Sequence, residues 1–349
     1  MSAFAIANRP IGDGQPTFII AEIGVNHDGS LARALQLVQL AAQCGADAVK
    51  LQIFRAQSLM HPTSAFAQYQ KQRCADADPA AMLRRYELSP LDLAAIIAEI
   101  RRHGIVPLAT PFSLDDVETI ARLDLPAVKI ASPDLVNYPL LERCAALGKP
   151  LLVSTGAATM EEVAGTVRWL NAWKAPFALL HCVSSYPTPA EQANLCWISE
   201  LRQRFYVAVG YSDHATEEIA GAAAVMLGAC IVEKHLTHDR GAPGPDHAAS
   251  ADPQQFARYV KAVHAVEKLR GSAGKGVLPI EQDVRTVSRQ SLVLARPLPE
   301  DHVITARDLV TQRPGTGVSV SLLPQIVGRR TARPLPGGTL LEPDMIQAA

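Results

Sequence analysis

The chain has 349 residues, 48% hydrophobic and 19% charged, a balance that suits a globular protein with a large core. Its net charge is −1, which argues against a nucleic-acid or membrane surface, so an anionic ligand has to meet local positive charge. The N-terminal MSAFAIANRPIGDG lacks the basic start and apolar run of a secretory signal, and no apolar run reaches the roughly 18 residues of a membrane span.

The first apolar run, FIIAEIG, closes on Glu22. Residues 30–45 follow at helical spacing, with Ser30 as N-cap and Gly45 as stop. The second run, AVKLQIF, closes on Lys50 and Gln52. Then comes the longest interruption, residues 54–88, holding His61, Tyr69, Lys71, Arg73, Arg84 and Arg85. A loop this long is expected to be functional. SPLDLAAIIAEIRRHG is a second helix, capped by Ser89 with Pro90 at its first position and Gly104 as stop.

Six further runs close on Thr110, on Lys129 with Ser132, on Ser154, on His181 with Ser184, on Ser212 with His214, and on Glu233 with His235. Helical stretches such as SLDDVETIARLD, TMEEVAGTVRWLNA and DPQQFARYVKAVHAVEKLRG separate or follow them. Strict βα alternation predicts a parallel sheet with covering helices. Chemistry-bearing residues at every strand end predict an α/β fold of the (β/α)8 TIM-barrel type, with its active site at that mouth. The rival is an open doubly wound sheet. It is disfavoured because no GxGxxG follows the first strand and the polar residues come from all the strand ends.

After Gly271 the texture changes. The expected division is a barrel over 1–272, a Gly/Pro-rich linker over 273–286 and a small β-rich domain over 287–349, in which PLPEDHVIT and PLPGGTLLE are similar turn-and-strand phrases. A domain that small is near the lower limit for an independent core. The cysteines (Cys44, Cys74, Cys144, Cys182, Cys196, Cys230) are scattered without a CxxC pair. They read as small hydrophobes in a reducing cytoplasm.

His214 and His235 end adjacent strands, and two imidazoles with open positions suit a catalytic divalent metal. Asp213 and Glu233 beside them are expected to orient the rings; a core hydrogen-bond network is the plainer alternative. Lys50 and Gln52 share one strand face, as do Glu233 and His235. Lys50 and Lys129, with Thr110, Ser132, Ser154, Ser184 and Ser212, offer cations among hydroxyl donors, which is what a phosphoryl dianion needs. Serines that merely cap the next helix are the alternative. Glu22 fits either a general acid/base or a lysine's partner. Tyr186 before Pro187 offers an aromatic wall or a turn. Asp246 and His247 in GPDHAAS could bond hydroxyls, and Arg313 sits on the Gly-rich turn RPGTGV.

At these residues the chain resembles the sialic acid synthase family, the N-acetylneuraminate synthases with their legionaminate and pseudaminate relatives. The matching phrases are AEIGVNHDGSLARA, GADAVKLQ, YELS, ATPFS, VKIAS, STGAAT, HCVSSYPTP, GYSDHA, EKHLT, GPDHAAS and RPGTGV, which run along essentially the whole chain. The resemblance implies a C-terminal antifreeze-like (SAF) domain. It implies condensation of phosphoenolpyruvate with an N-acylated amino-sugar aldehyde such as N-acetylmannosamine, giving a 3-deoxy-2-keto nonulosonic acid and phosphate. It implies that His214 and His235 hold Mn2+ (or Mg2+ or Co2+). Lys50, Thr110, Lys129, Ser132, Ser154, Ser184 and Ser212 would hold phosphoenolpyruvate. Gln52, Asp134, Tyr186 and Asp246 would meet the sugar, and Glu22 would be the catalytic carboxylate. Arg313 would reach the sugar site of the second protomer in a domain-swapped homodimer.

One phrase departs from the family. Pro133-Asp134 stands where these synthases carry Gly-Glu, which puts the identity of the sugar in question. Another phosphoenolpyruvate-condensing synthase, a metal-dependent aldolase, or a sugar-binding protein on the same scaffold are the alternatives. The small domain and HCVSSYPTP argue against the first two, and Lys50, Lys129, His214 and His235 against the third.

Overall fold

The computed structural model describes residues 4–66, 78–272 and 274–347. Tyr69, Lys71, Arg73 and Cys74 lie outside the described residues. The chain opens on an antiparallel hairpin of β1 (Phe4–Ile6) and β2 (Arg9–Ile11), an element the sequence reading did not contain. There follow β3 (Phe18–Gly24), β4 (Ala48–Ile53), β5 (Val106–Pro111), β6 (Val128–Ile130), β7 (Leu151–Ser154), β8 (Phe177–Cys182), β9 (Ala208–Asp213) and β10 (Ile231–His235). They close in that order into a parallel barrel, with β10 pairing back to β3. The (β/α)8 expectation is met.

Alternation along each strand explains the layers. Phe18, Ile20, Leu108, Leu152, Leu180 and Ile231 point inward and form one buried cluster with Ile6 and Ile11 of the hairpin, which plugs the N-terminal end. Their outward neighbours, among them Ile19, Val49, Val153, Leu179 and Val232, pack under the helices. Both strand faces are therefore apolar, and the strands read as continuous hydrophobic runs. The helices begin where the sequence placed them. Leu31–Gln43 is capped by Ser30, and Pro90–Arg102 by Ser89 in a capping box with Asp92.

Tertiary contacts divide the chain into Met1–Gly271 and Ser272–Ala349. The second unit holds β11 (Ser291–Leu294) and β12 (Leu309–Gln312) as an antiparallel pair. Its core is small: Leu292, Leu294, Leu298, Ile304, Val318, Ile326, Leu335 and Leu341. The stretch read as linker, 273–286, carries a turn at Pro279–Glu281 and the first residues of a helix, Gln282–Ser288. Leu278, Ile280, Val284 and Val287 on this stretch are exposed.

Candidate active site

Each strand's inward alternation continues to its C-terminal end, where the layer becomes polar. Lys50 Nζ lies 2.9 Å from Glu22 Oε2 and 3.3 Å from Glu233 Oε2. Gln52 Nε2 donates to Glu22 Oε1 at 3.1 Å. Gly24 makes this pairing possible, because its φ is +33° and a Cβ there would sit 2.4 Å from Glu22 Oε1. Lys129 Nζ donates to Ser154 Oγ at 2.6 Å and to the Ile130 carbonyl at 2.9 Å. It stands 3.8 Å from Glu233 Oε1, which also accepts from Ser212 Oγ at 2.8 Å.

The charges on this floor are unequal in kind. Burial lifts the Glu22 carboxyl to about 7 even against the neighbouring Lys50. Burial pushes Glu233 the same way, but Lys129 and Lys50 together outweigh it and hold that carboxyl at about 2. Burial lowers Lys129 to about 8. For Lys50 the opposite holds: burial disfavours the cation, yet Glu22 and Glu233 raise its pKa. Two lysines against one firmly ionised carboxylate leave the floor ready for an anion.

Hydroxyl and amide donors surround it. Thr110 Oγ1 is buried and has no hydrogen-bond partner among the described residues. The Gly156 N–H donates to Ser132 Oγ at 3.0 Å. A Cβ on Gly156 would lie 2.4 Å from Ser184 Oγ and 2.9 Å from Ser132 Oγ, so only glycine allows these groups to gather. Thr110, Ser132, Ser154 and Ser212 line a cavity of about 310 Å³, together with Lys50, Gln52 and Lys129. Ser184 is exposed and sits at the rim, and Glu22 lies beneath Gln52 and Lys50.

His214 and His235 line the same cavity, with ring centroids 5.5 Å apart. His214 Nδ1 donates to the Val183 carbonyl at 2.8 Å. A carbonyl only accepts, so the neutral ring keeps its lone pair on Nε2. His235 Nδ1 is buried without a hydrogen bond, 3.7 Å from Asp246 Oδ2. Burial and the neighbouring His214 push the His235 pKa well below the usual histidine value, which keeps it neutral. Burial opposes the His214 cation, but Cys182, whose Sγ is 3.7 Å from Nδ1, raises that pKa. Among the described residues no group of three or more histidines, cysteines or carboxylates is placed to hold a metal. Two imidazole donors with the remaining positions open to water and substrate fit a catalytic metal, not a structural one. The Tyr186 ring lies 4.0 Å from that of His214 and edge-on to His235.

Residues 37–275 match the NeuB family, and residues 289–347 match the SAF domain. The chain belongs to the NeuB family. An N,N'-diacetyllegionaminic acid synthase of Legionella pneumophila is 36% identical, over 97% of this chain and 97% of its own. The human N-acetylneuraminate-9-phosphate synthase is 32% identical, over 88% of this chain and 86% of its own. The crystal structure of an N-acetylneuraminic acid synthetase from Leptospira borgpetersenii superposes with a TM-score of 0.75 at 31% identity, covering 81% of this chain and 95% of that one.

In this NeuB-family chain the other polar residues take varied places. His181 is on the outward face of β8, bonded to the Ala193 carbonyl and ringed by Trp197 and Tyr211. Cys182 is the inward residue and lines the cavity. Burial alone would raise its thiol pKa, but His214 pulls it down to about 7. Asp213 does not orient a histidine: it faces outward, 3.3 Å from Lys234 Nζ, and accepts from the Ala215 N–H. Glu233 serves the lysines instead of the imidazoles. Asp134 accepts from Asn137 Nδ2 at 2.9 Å, and it is Pro133 that lines the cavity. Arg313 is exposed on the second unit.

Sequence reasoning also missed the supports of the GPDHAAS loop. Asn26 Nδ2 donates to Ser250 Oγ at 2.8 Å, and that hydroxyl donates to the Asp246 carbonyl at 2.8 Å. His247 is held by Asp28 at 2.9 Å and Thr237 at 2.6 Å. The phrase VNHDG after β3 carried the polar residues, but not the loop they would meet.

Proposed function

We propose that this chain condenses phosphoenolpyruvate with an N-acylated amino-sugar aldehyde, giving a 3-deoxy-2-keto nonulosonic acid and phosphate. The observation that carries this reading is the pair Lys50 and Lys129, buried on the cavity floor beside His214 and His235. The lysines hold the phosphate dianion, and Thr110, Ser132, Ser154, Ser184 and Ser212 donate to its oxygens. Gln52, Tyr186 and Asp246 position the sugar. Asp134 acts on it through the placement of Pro133.

The enol carbon forms a bond to the aldehyde carbon, and the aldehyde oxygen takes the electron pair and a proton. Water adds to C2, and phosphate leaves with C–O cleavage. Glu22, with its carboxyl near neutrality and within reach of Gln52 and Lys50, is suited to hold or release a proton. His214 and His235 would hold a divalent metal, Mn2+ before Mg2+ or Co2+, which supplies Lewis acidity at the aldehyde oxygen when bound. The exposed apolar residues on 278–287 favour a homodimer, in which Arg313 of one copy completes the sugar site of the other.

The test is phosphate release from phosphoenolpyruvate with Mn2+ and an amino-sugar aldehyde, with the product read by mass. Chelation should abolish it, and His214→Ala or His235→Ala should lower bound metal. Full turnover after metal stripping sinks the metal reading. Mixing Arg313→Ala with His214→Ala protein should restore part of the activity; no restoration after demonstrated subunit exchange means that Arg313 acts in its own chain or not at all.

A further inference from the structure

A buried ion pair lies behind the mouth, on the outer face of the last two strands. Lys234 of β10 and Asp213 of β9 are partners in the strand register, and Nζ stands 3.3 Å from Oδ2. Lys234 is 4% exposed and Asp213 1%. The helix Pro253–Arg270 covers them: the Tyr259 ring centroid is 5.7 Å from Lys234 Nζ. Gly221, on the helix Ala220–Met226, makes room for that ring, because a Cβ there would sit 2.2 Å from the Tyr259 hydroxyl. Taking two charges out of water can cost more than their attraction recovers, and apolar side chains of similar volume would serve stability as well. Stability alone therefore does not account for the pair.

What the pair holds is main chain beside the histidines. His214 stands one residue past the end of β9. The Ala215 N–H donates to Asp213 Oδ1 at 2.8 Å, and Lys234 Nζ donates to the Ala215 carbonyl. The His214 carbonyl accepts from the Thr188 N–H at 2.9 Å. The peptide after His214 is thus held at both its carbonyl and its N–H, and the next one at its carbonyl. Lys234 is itself the residue before His235. The Val183 carbonyl orients the His214 ring, but the main chain decides where that ring stands relative to His235. Neither Asp213 nor Lys234 is among the described residues that line the cavity.

Resting on the metal reading proposed above, we infer that Asp213 and Lys234 are positioning residues. Through Ala215 and the β9–β10 register they fix the placement of His214 against His235, so that both imidazoles can serve one divalent cation. A strand end held only by its ladder would let the two rings drift, and ligands held loosely bind a metal weakly.

The experiment measures Mn2+ affinity of the metal-stripped full chain from the paramagnetic resonance signal of free Mn2+, with urea unfolding and metal-free phosphoenolpyruvate binding on the same samples. The key variant is Asp213→Asn/Lys234→Met, which removes both charges and keeps an oxygen for the Ala215 N–H. Its urea midpoint should be at or above the parent's. Its Mn2+ affinity should fall by about tenfold or more, the scale of losing a group that supports a metal ligand. Its phosphoenolpyruvate affinity should stay at the parent value. Asp213→Asn alone, which leaves Lys234 its bond to Ala215, should weaken Mn2+ binding in the same direction and by less. Parent-like Mn2+ affinity in both variants overturns this inference alone. So does a loss of Mn2+ and phosphoenolpyruvate affinity in step with a falling urea midpoint, which makes the pair a structural element only. No Mn2+ binding by the parent chain overturns the metal reading and this inference together.

Discussion

The two ends of the barrel lumen are made by the same strands and obey the same alternation, yet they hold opposite chemistry. At the N-terminal end Ile20, Ala48, Leu108, Leu152, Leu180 and Ile231 pack under the hairpin. Two residues further along the same strands stand Glu22, Lys50, Thr110, Ser154, Cys182 and Glu233. The apolar layer is fully or almost fully buried. It gives the strands a rigid base, and on that base two lysines and two glutamates are held out of water against a desolvation cost. Stability and chemistry are thus stacked along one axis, separated by a single strand repeat.

The largest effect should come from Glu233→Ala. It leaves Lys50 and Lys129 without their shared carboxylate, and breaking a buried pair this way costs about 3–5 kcal/mol. Urea unfolding should show that loss, together with collapse of phosphoenolpyruvate use. The matched change in the lower layer is Leu152→Ala, which should cost about 2–5 kcal/mol through the cavity it leaves. Its KM for phosphoenolpyruvate, per folded molecule, should stay at the parent value. If Leu152→Ala shifted that KM as far as the change at Glu233, the two layers would not be separable.

The pH dependence of stability should also belong to the mouth. His27, on the loop after β3, is buried, and that burial lowers its pKa from 6.5 to about 4. The unfolded chain takes up this proton first on acidification. Stability from His27 is therefore complete above about 6.5 and lost as pH falls through 4, by up to about 3 kcal/mol. Glu22 works in the other direction, because its folded pKa of about 7 is above the model-peptide 4.5. Its contribution is complete below about 4.5 and lost as pH rises through 7. Thermal melts across pH 4–8 should show His27→Gln flattening the acid side and Glu22→Gln the neutral side. A lower-layer variant such as Leu152→Ala should displace the whole curve without changing its slope.

The smallest effect is expected at Asp134. Asp134→Asn keeps the contact with Asn137 and touches no cavity surface, so stability should move by less than about 1 kcal/mol. The ranking of acceptors should be retained as well. A reordered acceptor panel in this variant would place the carboxylate in the sugar site after all and extend the mouth beyond the cavity described.

Much of the floor was legible because a strand's period is two. From Lys50, Gln52, Ser212, His214, Glu233 and His235 alone, the spacing puts each pair on one face, and the structure places all six around the cavity. The same rule, applied strictly, would have chosen Cys182 over His181, since Leu180 is already an inward residue. The partners of those side chains were not legible. Asp213 and Glu233 each sit next to a histidine in sequence, but neighbours on a strand point to opposite faces, so Asp213 turned to Lys234 and Glu233 turned to the lysines.

By itself the sequence determined the periodicities. These include the inward and outward faces of each strand, the helix caps at Ser30 and Ser89, and the residue types at the mouth. Those properties depend on local spacing, which a linear chain already contains. Tertiary structure alone decided which charges share a partner and which residue of a polar phrase reaches the cavity. It also set the apolar part of the cavity lining, where Phe54, Leu59, Met60, Met82, Leu83 and Phe112 show no common pattern in sequence. Pair energies and burial depend on distances between residues far apart in the chain. Closure of the barrel, with β10 returning to β3, brings Glu233 to Lys50 and His214 to His235.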